Sequence, residues 1–121
     1  MNLQVSSRLV DHHAIVAAQG EIDLSSCEKL RDVLAADECH TADAVVIDLT
    51  SVHFIDSTGL SVLVDGARQA RSHDQSFGVV ADGHLRELLR ITGLDTVMQV
   101  HPRLADALPG DGDRTEEAPL P

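Results

Sequence analysis

The apolar positions of the chain follow two rhythms. From Leu3 to Val10 they recur loosely every second residue, at Leu3, Val5 and Leu9, the period of a half-exposed strand. Ala14 to Gln19 is a second apolar run that Gly20 ends, and the polar Asp11-His12-His13 between the two suits a turn, so the pair reads as a hairpin. Val45 to Leu49 is short and β-branched, the composition of a strand buried on both faces. Phe77 to Ala81 and Thr96 to His101 read as two further strands.

Between these runs the period lengthens to that of a helix. Leu30, Val33 and Leu34 share one face of a helix that ends near Ala36, and Ser25 with Glu28 has the Ser-x-x-Glu spacing of a capping box at its start. Asp37 to Asp43 follows as a polar loop. Leu60, Leu63, Val64 and Ala67 stand at i, i+3, i+4 and i+7, which predicts a helix from Ser57 to about Arg71, followed by a loop over Ser72 to Gln75. Asp82 can cap a third helix from Gly83 to Thr92, with Leu85, Leu88, Leu89 and Ile91 on its apolar side and Gly93 as a left-handed stop. Pro102 is placed as the first residue of a last short helix that reaches Leu108. The order is ββαβαβαβα. Strand-helix-strand units imply parallel neighbours joined by right-handed crossovers, and the opening hairpin makes the sheet mixed. The expected architecture is a single α/β domain over residues 1–108. From Pro109 the chain is Gly, Pro, Asp and Glu with almost no apolar residues, so 109–121 reads as an acidic, disordered tail.

Composition narrows the classes of partner. A chain of 121 residues supports one core, and with no Trp, no Tyr and two Phe that core is built from Leu, Val, Ile and Ala. It lacks the aromatic platforms of single-strand binders. Twenty acids against nine bases give a net charge of -11, which repels nucleic-acid phosphates and anionic membrane surfaces and suits a partner with a basic face. No run approaches the roughly 20 apolar residues of a membrane span, and no leader pattern opens the chain, so a cytoplasmic location is expected. Cys27 and Cys39 are too few for a disulfide framework and are expected as free thiols. The seven histidines show no metal-ligand spacing and read as solvated or singly packed, so no metal is expected.

The chemistry concentrates at Ile55-Asp56-Ser57-Thr58-Gly59, where the buried strand launches a helix. Several readings of these residues are open. Asp56 or Ser57 can serve as a plain helix cap. A nucleophile elbow would need Gly two residues before Ser57, where Ile55 stands. A phospho-aspartate receiver would resemble a fold with a Lys after its last strand, and the one lysine, Lys29, lies in the first helix. No Gly-rich phosphate loop appears, so no nucleotide cofactor is expected and the chain does not read as an enzyme.

Asp56-Ser57-Thr58-Gly59-Leu60 after a Phe-Ile pair resembles the signature of STAS-domain anti-sigma factor antagonists. Gly20-Glu21-Ile22-Asp23 resembles the Gly-Glu-aliphatic-Asp at the end of that family's second strand. Leu88-Leu89 and Thr92-Gly93-Leu94 resemble the end of its third helix. The resemblance spans roughly Leu3 to Leu108. It implies that Ser57 is phosphorylated by a partner that is both serine kinase and anti-sigma factor, and that a serine phosphatase resets it. It implies a partner-binding surface around Asp23, Asp56, Ser57, Thr58 and Gly59, with Thr58 and Gly59 keeping that surface low. Val62 falls off the apolar face counted above and is expected as a further partner contact. A phosphate would add about -1.5 to -2 charges at a helix start that tolerates anions. Two other functions share the fold: an interaction module of a transporter or signalling assembly, and a nucleotide- or anion-binding regulatory domain.

Overall fold

A computed structural model describes residues 2–108; the expected acidic tail over 109–121 lies outside the described residues. Strands β1 (Leu3–Val10), β2 (His13–Ile22), β3 (Ala44–Ile55), β4 (Ser76–Val80) and β5 (Gln99–His101) form one sheet in the order β1-β2-β3-β4-β5. The first pair is antiparallel and the rest are parallel. The hairpin runs from Leu3↔Gly20 to Val10↔His13 and closes on Asp11 and His12, whose φ values of 50° and 68° are both left-handed. A two-residue turn of that hand matches the twist of the flanking strands.

Helices α1 (Cys27–Leu34), α2 (Asp37–His40), α3 (Ser57–Ser72), α4 (Gly83–Ile91) and α5 (Leu104–Ala107) complete the domain. Because successive parallel strands are neighbours, right-handed crossovers place α1, α3 and α4 on one face. Leu30 of α1, Leu63 and Ala67 of α3 and Leu89 of α4 accordingly share one core with Ala14, Val16, Val45, Ile47 and Val79. On the opposite face Ile15, Val46 and Val80 form a smaller cluster under Leu104, Ala107 and Leu108. Alternate residues of β3 therefore serve two apolar layers, which accounts for its unbroken β-branched run.

Several boundaries differ from the periodicity. Strand β3 runs to Ile55, well past Leu49, because its polar second half still pairs with β2 through Gly20↔Val52, Glu21↔Phe54 and Ile22↔Ile55. The segment after Ala36 contains α2, with Cys39 as its buried residue. Helix α1 begins at Cys27, and its predicted Ser25/Glu28 capping box does not form. The Ser25 amide and hydroxyl bond instead to the Asp23 carboxylate, at 3.0 and 2.8 Å. Asp82 occupies the N-cap of α4, yet its side chain makes no capping bond. Gly93 takes the predicted left-handed conformation, φ 78°, but leads into a 3-10 turn over Leu94–Thr96, which shortens β5 to three residues. Helix α5 starts after Arg103, two residues later than Pro102 would allow.

The phase of α3 also shifts. Its buried face is Gly59, Val62, Leu63, Ala67 and Ala70, so the count starts one residue before Leu60. Gly59 sets this phase. A Cβ there would lie 2.5 Å from Ile55 Cγ1, 2.7 Å from Ile22 Cγ2 and 3.1 Å from the Ile22 carbonyl oxygen. Gly59 thus serves close approach of α3 to the sheet, and it is buried, so it does not shape the outer surface as expected. Gly59→Ala is expected to lower unfolding stability by about 1–3 kcal/mol in urea titration, because the atoms it meets are branched γ carbons and backbone with little room to move. Unchanged stability would contradict this account of the helix packing.

Candidate functional site

Strands β2 and β3 end side by side, at the Ile22↔Ile55 pair, and the Asp56 amide donates to the Ile22 carbonyl at 3.1 Å. Asp23 and Asp56 therefore leave the sheet together, each one residue past its strand. Both carboxylates turn back onto their own chain. Asp56 is the N-cap of α3, and its Oδ1 accepts from the amides of Thr58 and Gly59 at 3.0 and 3.1 Å and from the Thr58 hydroxyl. Asp23 Oδ1 accepts from the amides of Ser25 and Ser26 at 3.0 and 3.1 Å, and the Ser26 hydroxyl donates to the Glu21 carbonyl at 2.7 Å. Two adjacent loops are thus fixed by the same device, a carboxylate that accepts the backbone amides two and three residues after it.

These bonds have an electrostatic consequence. The Thr58 hydroxyl first, then the Gly59 and Thr58 amides, hold the Asp56 carboxyl below its ordinary range, against some desolvation and the like charge of Asp23. The Ser25 hydroxyl first, with Ser26 and the Ser25 amide, does the same for Asp23. Both groups are therefore anions at neutral pH and keep this end of the domain negative.

Ser57 is the first residue of α3 and is exposed. Among the described residues its hydroxyl makes no hydrogen bond, because Asp56 does the capping. The neighbouring Thr58 hydroxyl is bonded to Asp56. Of the two adjacent hydroxyls, Ser57 is the free one. The structure brings Asp23, Asp56, Ser57 and Thr58 to one surface with Gly59 beneath it. It does not bring Val62 there: that side chain is 1% exposed, packed in the core on the same face of α3 as Leu63. The expected partner contact at Val62 is corrected accordingly.

Two residues that the sequence pattern passed over flank the site. Leu24 follows Asp23 and is 75% exposed, and Phe54 precedes Ile55 and is 48% exposed. A large apolar residue within two positions of each loop acid, outside both periodic stretches, is the signal that could have found them. Elsewhere, no group of three or more His, Cys, Asp or Glu among the described residues is placed to hold a metal. Cys27 and Cys39 are both buried, and burial pushes the Cys39 thiol up. His40 and His73 are stacked on each other, with centroids 5.7 Å apart, and so are not singly packed. His73 caps the far end of α3, about 24 Å along the helix from Ser57.

The depressed Asp56 carboxyl fixes a pH dependence. An acid whose folded value lies below its unfolded one stabilises the fold wherever it is ionised, and that contribution is lost as pH falls through the folded value. The gap in thermal midpoint between the native chain and Asp56→Ala is therefore expected to be constant around neutral pH and to close in acid. A gap that persists at low pH would contradict the capping role.

The family model described as "Mlab, STAS domain" matches residues 5–105. The chain is 32% identical over 109 residues to "Anti-sigma-F factor antagonist RsfB" of Mycobacterium tuberculosis, covering 88% of each chain. It is 33% identical over 103 residues to "Anti-sigma-B factor antagonist" of Listeria monocytogenes, covering 83% of this chain and 88% of the relative. The crystal structure of an anti-sigma factor antagonist from Mycobacterium paratuberculosis superposes with a TM-score of 0.80 at 32% identity, over 88% of this chain and 91% of that one. Sheet order, capped helix start and these similarities together show that the chain belongs to the STAS domain family.

Proposed function

We propose that this chain is an anti-sigma factor antagonist that works as a partner switch on Ser57. With Ser57 bare it binds a serine-kinase anti-sigma factor and frees a sigma factor; phosphorylated, it lets go; a serine phosphatase resets it. It is a substrate in this cycle and supplies no catalytic group. The relatives named as antagonists of anti-sigma-F and anti-sigma-B factors support the class of partner. The observation that carries the site is the exposed, unbonded hydroxyl at the first turn of α3.

The chemistry needs little from this chain. The Ser57 oxygen attacks the γ-phosphorus of the kinase's ATP, the bond from that phosphorus to the bridging oxygen breaks, ADP leaves, and the hydroxyl proton passes to the kinase's base. The chain's part is to present the hydroxyl at an exposed helix start. Once formed, the phosphate gains from the helix dipole. Toward a partner it does the opposite. A dianion beside the ionised Asp23 and Asp56 must be desolvated against the bound face, and like-charge opposition there costs several kcal/mol. Each 1.4 kcal/mol is tenfold in affinity, so one modification is enough to part the complex.

Protein recovered from its host is expected to carry a single phosphate, on Ser57, that Ser57→Ala abolishes and Thr58→Val retains, as read by intact-mass and peptide mass spectrometry. In titration against the host's anti-sigma kinase, Ser57→Ala is expected to bind like the bare chain and Ser57→Asp at least about tenfold more weakly. A phosphate only at another residue, or equal affinity of Ser57→Asp and the bare chain, would overturn the switch.

A further inference from the structure

We propose that the partner's footprint is a strip in which Ser57 lies between two apolar anchors, Leu24 and Phe54, and which continues into the groove between β3 and α4. Its occupant is a face of the anti-sigma partner with an apolar centre and a basic rim. This rests on the reading of Ser57 as the switch and adds where the binding energy sits.

Three observations carry it. The described residues expose five large hydrophobic side chains, and only Leu24 and Phe54 stand at the strand ends that carry Asp23 and Asp56. Leu9 lies near the hairpin turn and Val97 beside Arg71 and Asp74 where α3 ends, both at the other end of the sheet, while Ile91 lies at the last turn of α4. Second, β4 stops at Val80, in register with Asp48, so β3 beyond that point has a strand on one side only. The Thr50 amide, at an irregularity in the β2 pairing just past this point, bonds to the Asp48 carboxylate at 3.0 Å. The start of α4 stands off from this overhang and leaves a groove of about 390 Å³, with Leu49, Val52, Phe54, Leu85 and Leu88 as its apolar lining and His53, Asp82 and His84 among its polar lining. Phe54 lines the groove and stands two residues before Asp56, so the groove opens next to the strand end that launches α3. An open strand margin beside an apolar groove is a surface fit for a partner.

Third, the charge has one sign. Asp23 and Asp56 stand at the Ser57 end and the exposed Asp82 at the groove, whose lining has no Lys or Arg and whose other polar side chains are His53 and His84. A partner that buried Leu24 and Phe54 would meet carboxylates around them, which selects a basic rim. The arrangement also explains why one phosphate is decisive. Binding energy concentrates in apolar anchors from which water is excluded, and a dianion placed between two of them is desolvated at the worst point of the interface.

The test is titration of the full chain against the host's serine-kinase anti-sigma factor, with Leu24→Glu and Phe54→Glu as probes and Leu9→Glu and Val97→Glu as controls of the same chemistry. Leu9 and Val97 are 53% and 41% exposed, so the controls change solvent-facing side chains. Each probe is expected to weaken binding by about tenfold or more and each control by less than about twofold. Circular dichroism and thermal midpoint check that the variants fold, and hydrogen exchange of the unsubstituted chain, which needs no variant, is expected to show protection on binding around Leu24 and Val52 to Phe54. Probes that behave like controls, or protection confined to the first turn of α3, would overturn the footprint while leaving the switch standing. If Ser57 phosphorylation itself leaves affinity unchanged, the switch fails and the footprint with it.

Discussion

One carboxylate organises the functional end of this domain. Asp56 accepts two backbone amides and a hydroxyl at the start of α3, and each of those bonds removes a task that Ser57 would otherwise perform. Serine at a helix start is ordinarily a cap, with its oxygen turned inward. Here the cap is one residue earlier, and the exposed Ser57 hydroxyl makes no hydrogen bond among the described residues. The same bonds keep Asp56 ionised, so the surface that carries the Ser57 hydroxyl is negative.

The fold supplies the rest by topology. Sequential parallel strands with crossovers of one hand bring the ends of β2 and β3 together, and with them the loops that begin at Asp23 and Asp56. Gly59 then lets α3 settle directly on Ile22 and Ile55. The consequence is rigidity beneath the site. Ile22, Ile55, Val62 and Leu63 are all buried in the core that anchors the first two turns of α3. A charge added to Ser57 sits on an already formed helix start whose buried layer it does not touch.

Much of this was legible in the sequence. The strand runs, the helix periods and the motif at Asp56-Ser57-Thr58-Gly59 identify the architecture and the candidate hydroxyl without coordinates. What the sequence hid has physical causes. Helical periodicity shows which residues share a face, but the apolar run from Leu60 to Val64 fits more than one phase, and a side-chain-free glycine settled it by packing Val62 inward. The second half of β3 was invisible because Thr50, Ser51 and His53 carry no apolar alternation, and only pairing with β2 holds them extended. The Ser25/Glu28 pair matched a capping spacing, yet Asp23 took the Ser25 amide that Glu28 would have reached, from a shorter distance along the chain. Leu24 and Phe54 carry no periodic signal, and their exposure follows from where two strands end.

The central claim is that phosphorylation at Ser57 alters a surface and leaves the fold as it is. The most direct measurement is a pair of amide correlation spectra by nuclear magnetic resonance, of the bare and the Ser57-phosphorylated chain. The account predicts shifts confined to the first turn of α3 and the loop after Asp23, with core amides of β2, β3 and β4 unmoved. Shifts spread through the sheet, or loss of the α3 amide signals, would contradict it and make the switch a conformational one.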